Sequence, residues 1–230
     1  SSPDEVLERE IMNHLFPDTT YGCESGGDPK NIPDLTYENF LNFHRTYYHP
    51  SNSYIYLYGN MDMEEKLAFL DEHYLSHFDY LDVDSVIQEQ KAFGACRDVT
   101  LEYPVAENEG EEDNTYLSYN MVVGNAADSQ MAMAFEVLDY ALLSAPGAPL
   151  KQALLDVKAG KDVYGSYDDG ILQPYFTVIA KGSNPDRKEE FVSVIRQVLG
   201  DIVKNGIDRK AVEAGINYFE FRYREADFSS

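Results

Sequence analysis

The 230 residues predict an α+β fold, a mostly antiparallel sheet with helices packed on one face. Three observations carry this. From Val99 onward the chain reads strand, strand, helix, helix, strand, strand, helix, helix. The strand runs are short, β-branched or aromatic, and closed by turn residues. The helical stretches place apolar residues three and four apart behind good capping residues.

In order, Ser2-Pro3-Asp4-Glu5 is a helix start: Ser2 caps, Pro3 takes the first helical position and Glu5 completes a capping box. Leu7, Ile11, His14 and Leu15 share a face, so the helix reaches about Phe16 before Pro17. Glu24-Ser25-Gly26-Gly27-Asp28-Pro29 is turn chemistry. Thr36 caps a helix over 37–47, with Leu35 placed to staple onto Phe40. His49-Pro50-Ser51-Asn52 stops it. Tyr54-Ile55-Tyr56-Leu57-Tyr58 is then expected as a strand closed by Gly59-Asn60. Asp62 and Glu65 form a capping box for a helix lined by Leu67, Leu70, Tyr74, Leu75 and Phe78. The pattern decays from Asp79, which places a linker at 79–95.

In the second half, Val99–Tyr103 alternates and is expected as a strand. Glu107–Asn114 is an acidic loop, favoured as a hydrated hairpin connection over a metal site. Tyr116–Val123 is the returning strand. Asp128 caps a helix bearing Met131, Phe135, Leu138 and Leu142, and Leu150–Val157 forms a shorter one stopped by Gly160. Val163–Tyr167 and Tyr175–Ala180 are strands around a turn at Asp168-Asp169-Gly170. Phe191, Val194, Ile195, Val198, Leu199, Ile202 and Val203 make the clearest helical stripe, ending at Asn205-Gly206. Asp208 caps a last helix, with Val212, Ile216, Phe219 and Tyr223 expected inward. The Tyr54 strand with its following helix loosely echoes the Tyr175 strand and the Phe191 helix, too loosely to count as a repeat.

Bulk properties narrow the function. Forty-one acids against 18 bases give a net charge of −23. Nucleic-acid binding is not expected on this ground, because phosphate contact needs a basic face. A solvated acidic surface is the first reading, and an acidic wall that attracts basic peptides the sharper one. No apolar run approaches a membrane span; even Ala132–Leu143 is broken by Glu136 and Asp139. Ser1–Glu5 has neither the basic residues nor the apolar run of a targeting peptide. It also lacks Met, so a chain cut from a longer one is expected. Cys23 and Cys96 have no CxxC spacing, which favours two small buried residues in a reducing compartment.

The stretch from Tyr21 to Asn60 is the densest in motifs: E-S-G-G-D-P, L-T-Y-E-x-F-L-x-F-H, Y-Y-H-P-S-N-S and Y-L-Y-G-N. It resembles the presequence-protease branch of the pitrilysin/insulinase zinc peptidases, and the likeness continues more weakly to the C-terminus. That resemblance implies an inverzincin motif, H-x-x-E-H, with two histidines on one helix face and a glutamate that polarises metal-bound water.

This sequence holds no H-x-x-E-H and no H-E-x-x-H. Its histidines are His14, His44, His49, His73 and His77. His73 and His77 have ligand spacing on an expected helix, but Tyr74 follows His73 where the base belongs, so a solvated face is favoured. His44 is read as a hydrogen-bonded core residue and His49 as ordering its turn. Ser25 fails the G-x-S-x-G elbow, since Cys23 stands where glycine is required. Gly26-Gly27 matches no phosphate-binding pattern, so no nucleotide is implied.

By the resemblance, the zinc motif and third ligand fall upstream of Ser1 and the transition-state residues beyond Ser230; Glu5, Glu8 and Glu10 lie after the expected ligand. No catalytic or metal-binding residue is therefore assigned here, and no substrate-binding residue can be named. Residues 1–90 are read as the C-terminal part of a catalytic-type domain. Residues 91–230 are read as linker and first part of a homologous non-catalytic domain, with Asn217–Asp227 on a helix inside it.

The expected parent is a zinc metalloendopeptidase that degrades unfolded peptides in a closed chamber. Its zinc is not expected in this chain, which is expected to be inert. The expected partners are those peptides and the remaining domains of the same polypeptide, with neither nucleic acid nor membrane. Two rival readings are a non-catalytic homologue that serves as a structural or substrate-capturing subunit, and a stand-alone binding module. A bacterial cytosol is the expected compartment, with a mitochondrial or plastid matrix the alternative.

Overall fold

The computed structural model describes residues 2–106 and 110–225. Contacts divide the chain into a larger unit, Ser1–Gly22 with Glu89–Ser230, and a smaller one, Cys23–Gln88.

In the larger unit, helix α1 (Pro3–Leu15) opens with the expected reciprocal capping box between Ser2 and Glu5. After the segment from Glu89, strand β1 spans Thr115–Val122. Helix α4 (Ser129–Asp139) follows, capped by the Asp128 side chain on the Met131 N–H, and runs into a π-helical turn, Tyr140–Ser144. Helix α5 (Pro149–Asp156), strands β2 (Asp162–Asp168) and β3 (Tyr175–Ser183), and helices α6 (Lys188–Asn205) and α7 (Arg209–Glu225) complete it. Gly206, at φ 86°, ends α6 in the positive-φ conformation that Asn205-Gly206 signals.

The sheet is antiparallel throughout, in the order β1-β3-β2. The two-residue period splits β3 cleanly. Phe176, Val178 and Ala180 meet Leu117 and Val163 in a core closed by Leu143, Leu150, Leu154, Phe191 and Ile195. Ile179 on the opposite face meets Ile11, Leu15 and Phe16 at the end of α1. The α+β class stands, with one addition: α1 covers the sheet face away from the other helices. Gly165 of β2 is needed for the approach, since a Cβ there would sit 2.2 Å from the Thr177 carbonyl oxygen and 2.5 Å from Leu143 Cδ1.

Two expected strands do not form. Val99–Tyr103 is not assigned to a strand among the described residues; Tyr103 packs edge-on to Tyr116 of β1 and bonds the Asn114 carbonyl through its hydroxyl. The acidic loop at Glu107–Asn114 lies partly outside the described residues; Asp113 within it is held by Asn184 and Lys161, which keep its carboxyl below the usual range. On α7, Val212 and Phe219 are half-buried as expected, but Ile216 and Tyr223 are exposed. The inward position is Gly215, set against Val137 and Tyr140, and Tyr218 stacks on Tyr140 at 4.9 Å. Close helix packing at glycine shifts the buried stripe by one residue.

In the smaller unit, helix α2 (Tyr37–Tyr47) is capped by Thr36 on the Asn39 N–H, and helix α3 (Met63–His73) by Asp62 on the Glu65 N–H. Leu35 and Phe40, the expected staple, are both largely exposed. Tyr54–Tyr58 has no ladder partner among the described residues and forms no strand. A strand needs a neighbour for its N–H and C=O groups, and this unit supplies none. Among the described residues, no residue between 23 and 88 is buried.

Candidate functional site

The five histidines are dispersed. His14 bonds the Glu10 carbonyl at 2.7 Å through Nδ1 and lies 3.8 Å from the Glu10 carboxylate. His44 is exposed and stacks on Tyr48 at 4.8 Å, which corrects its reading as a core residue. Tyr48 is the C-cap of α2, and its N–H bonds the His44 carbonyl, which sets the two rings side by side. His49 Nδ1 accepts the Ser51 N–H at 3.2 Å, so it does order its turn.

His73 and His77 are not two ligands on one helix. α3 ends at His73, Tyr74 breaks the backbone at φ −140°, ψ −65°, and His77 falls in the 3₁₀ turn Leu75–His77. His73 packs instead against Phe69 at 4.5 Å. Among the described residues, no group of three or more His, Cys, Asp or Glu could hold a metal ion. The donor set among the described residues does not fit zinc.

The other candidates also resolve into structure. Ser25 is exposed in its turn, with no strand before it. Cys23 and Cys96 are both exposed free thiols, which corrects the expectation of small buried residues. Glu5 caps α1 and Glu10 pairs with Arg9 at 3.4 Å.

Perturbed groups occur where the sequence offered no motif. Asp139 sits at the junction of α4 and the π turn; burial pushes its carboxyl up to about 6, opposed by a bond to Ser144, and its Oδ1 has no hydrogen-bond partner among the described residues. Burial, then Asp168, raises the Tyr175 hydroxyl to about 12. Lys181, bound to Asp4 at 2.9 Å, is held above its ordinary value by that carboxylate and by Tyr116. A surface cavity of about 260 Å³ is lined by Ser144, Pro146, Lys151, Gln152 and Leu155. Its only charged lining residue, Lys151, lies 3.9 Å from Asp162.

Exposed aromatic side chains gather in the smaller unit. Tyr37, Phe40, Phe43, Tyr54, Tyr56 and Tyr58 are all open to solvent in the smaller unit. The surrounding framework is nevertheless ordered by side chains. Ser51 Oγ accepts the Leu81 N–H at 3.1 Å, the Ser85 hydroxyl donates to Asn52 Oδ1 at 2.6 Å, and the His49 ring meets Phe78 edge-on at 5.3 Å. The H-P-S-N-S motif thus anchors the segment after α3. In the larger unit a buried clasp anchors the segment from Glu89, which sequence reasoning missed. Gln90 accepts the Asp18 N–H at 2.9 Å and donates to its carboxylate at 2.7 Å. Gln173 donates to the Gln90 carbonyl at 3.2 Å. A lone glutamine in a polar stretch carries no periodic signal that could have shown this.

Comparison with known proteins gives a consistent picture. Residues 34–219 match the family model described as the Peptidase M16 inactive domain. The chain is 47% identical over all 230 residues to Protein HypA of Clostridium perfringens, covering 24% of that protein. It is 36% identical over 234 aligned positions to the chloroplastic/mitochondrial Presequence protease 1 of Arabidopsis thaliana, covering 22% of it. The chain thus spans about a quarter of the length of the curated relatives it matches. Among solved structures, it resembles an M16-like peptidase from Alicyclobacillus acidocaldarius with a TM-score of 0.59 and 18% identity, over 97% of this chain and 52% of that one. A protease from Helicobacter pylori gives 0.58 and 15%, over 98% and 59%. At these identities the structural likeness concerns the fold.

Proposed function

The chain belongs to the M16 peptidase family, with its match in the domain described as inactive, and on that premise we propose that it is the scaffold portion of a presequence-protease-like zinc metalloendopeptidase. In this reading the parent hydrolyses unfolded peptides inside a closed chamber, whose size excludes folded proteins. The zinc-binding H-x-x-E-H lies elsewhere in the parent, because these 230 residues do not contain it. Residues 1–90 belong to the end of the catalytic-type domain and residues 91–230 to the start of its non-catalytic homologue. The parent's partners are its peptides and its own remaining domains. Its compartment is a bacterial cytosol, in keeping with a bacterial relative at 47% identity, or an organelle matrix as in the plant relative. No helix among the described residues is long and apolar enough to cross a membrane.

The observation that carries the reading is the pairing of extended identity to a presequence protease with the lack of any ligand cluster among the described residues. The test is to incubate the purified 230-residue chain with zinc and an unfolded basic peptide, beside the full parent polypeptide. The expected result is cleavage by the parent alone, abolished by a chelator, with no stoichiometric zinc on the 230-residue chain. Chelator-sensitive cleavage by the 230-residue chain overturns the scaffold assignment. A parent without H-x-x-E-H and without cleavage replaces the enzyme with a non-catalytic subunit.

A further inference from the structure

Gln90 is 6% exposed at a place where the chain has no regular structure. The other buried polar residues among those described, Thr177 and Ser183, lie on β3, where Thr177 meets Ser166 at 3.2 Å and Ser183 donates to the Ala159 carbonyl. Gln90 is tied more fully. Its Oε1 accepts the Asp18 N–H, and its Nε2 donates to the Asp18 carboxylate and, at 3.2 Å, to the Lys91 carbonyl. Its own N–H donates to Gln173 Oε1, and its carbonyl accepts from Gln173 Nε2. Both donors of the amide, its oxygen and both backbone groups are therefore in use. The partners lie 72 and 83 positions away in the chain. Beside them, the Tyr21 hydroxyl accepts the Leu172 N–H at 3.2 Å, and the buried Phe16 ring meets Tyr21 and Tyr175 edge-on at 6.0 and 6.1 Å.

Ile11, Leu15 and Phe16 hold α1 against Ile179, but apolar contact has no direction and tolerates a slide. The bonds of Gln90 are directional, and a shift of any one of the three segments leaves a buried polar group unpaired. The clasp therefore sets where the end of α1 stops, beyond helping to keep the helix on the sheet. Resting on the reading of residues 1–90 as the end of a catalytic-type domain and 91–230 as the start of its homologue, we infer that Gln90 is a positioning residue of the peptidase. Its amide fixes the end of α1, in the catalytic-type part, to the turn before β3, in the non-catalytic domain. A misplacement of about 1 Å, originating far from the chemistry, costs an enzyme about 100-fold in rate. The effect accordingly falls on turnover and not on the amount of zinc bound.

The test compares Gln90→Glu with the pair Gln90→Glu and Asp18→Asn. The single substitution keeps the side chain's size but sets a carboxylate against that of Asp18; the pair restores a donor facing an acceptor in the opposite sense. In the full parent polypeptide, at a temperature where circular dichroism shows every variant folded, Gln90→Glu is expected to lower kcat at least about tenfold. KM is expected to stay within about twofold and the zinc stoichiometry to stay unchanged, and the pair is expected to recover more than about half of the loss on a logarithmic scale. In the 230-residue chain the single substitution is expected to lower the melting temperature by about 3 °C or more, and the pair to recover most of it. A lowered melting temperature with unchanged kcat means that the clasp only stabilises, and overturns the inference. A loss of kcat that the pair does not recover, or one that follows a loss of zinc, overturns it as well. So does an unchanged melting temperature, because the bonds then count for nothing. A parent that cleaves nothing before any substitution overturns the peptidase reading and the role in turnover with it, whereas recovery of the melting temperature by the pair still upholds the clasp.

Discussion

The two units differ less in sequence than in what their apolar residues meet. Phe191 on α6 is 1% exposed, closed in by a sheet face and by α5; Phe40 on α2 is 66% exposed and held by a well-capped helix. Both helices carry a clear apolar stripe, so amphipathicity specifies a side to be buried and not the burial itself. The larger unit brings its own second layer. The smaller unit has caps, turns and side-chain anchors but no opposing layer. Local signals are therefore satisfied in both, and tertiary packing in one alone.

The largest effect expected from this contrast comes from paired truncations. Phe191→Ala is expected to cost about 3–5 kcal/mol of unfolding free energy, and Phe40→Ala less than about 0.5 kcal/mol. Urea titration followed by far-UV circular dichroism measures both, and similar costs would erase the contrast. Next, Gly165→Ala forces β2 away from Thr177 and Leu143, at about 1–3 kcal/mol. Gly26→Ala, whose nearest neighbour is the end of a glutamate side chain, is expected to be near neutral in the same assay.

A smaller effect sharpens the comparison through pH. Asp139 has a folded value of about 6 against 3.8 for the free side chain. Below about pH 4 the carboxyl is protonated in both states. As pH rises through about 6 the folded state must hold a buried charge, and the stability tied to the protonated form is lost. Asp139→Asn is therefore expected to stabilise the larger unit above pH 6 by about 1 kcal/mol, allowing for solvent screening, and to have little effect at pH 4. Melting curves of both proteins at the two pH values check the sign. The smallest effect is at a cap: Thr36→Ala removes the acceptor for the Asn39 N–H and costs α2 about 1 kcal/mol locally, visible as faster exchange at its first turn.

How much was legible in the sequence follows the same division. Ser2, Thr36, Asp62 and Asp128 announce their helices because a cap acts within four residues. β2, β3 and the α6 stripe were readable because their period persists and their partners lie nearby in the chain. The failures all depended on something distant. Tyr54–Tyr58 and Val99–Tyr103 have strand composition but are not assigned to a strand among the described residues, and His44 is exposed on its helix. Cys23 and Cys96 followed their residue type inward in expectation and lie outward in fact. For the site, the sequence offers no glutamate directly after His73, and so no ligand set was assigned to His73 and His77. It does not announce the helix break at Tyr74 that parts them. Asp139 and the Gln90 clasp left no trace, because burial and long-range hydrogen bonds have no local spacing.

The most direct test of this contrast is native-state hydrogen exchange across the isolated 230-residue chain. Amides of β3 and α6 are expected to exchange only through global unfolding, while those of α2 and α3 open locally, several kcal/mol below it. Equal protection of α2 and β3 would contradict the account, because it would mean that residues 23–88 already possess the packed side that their exposed aromatics lack.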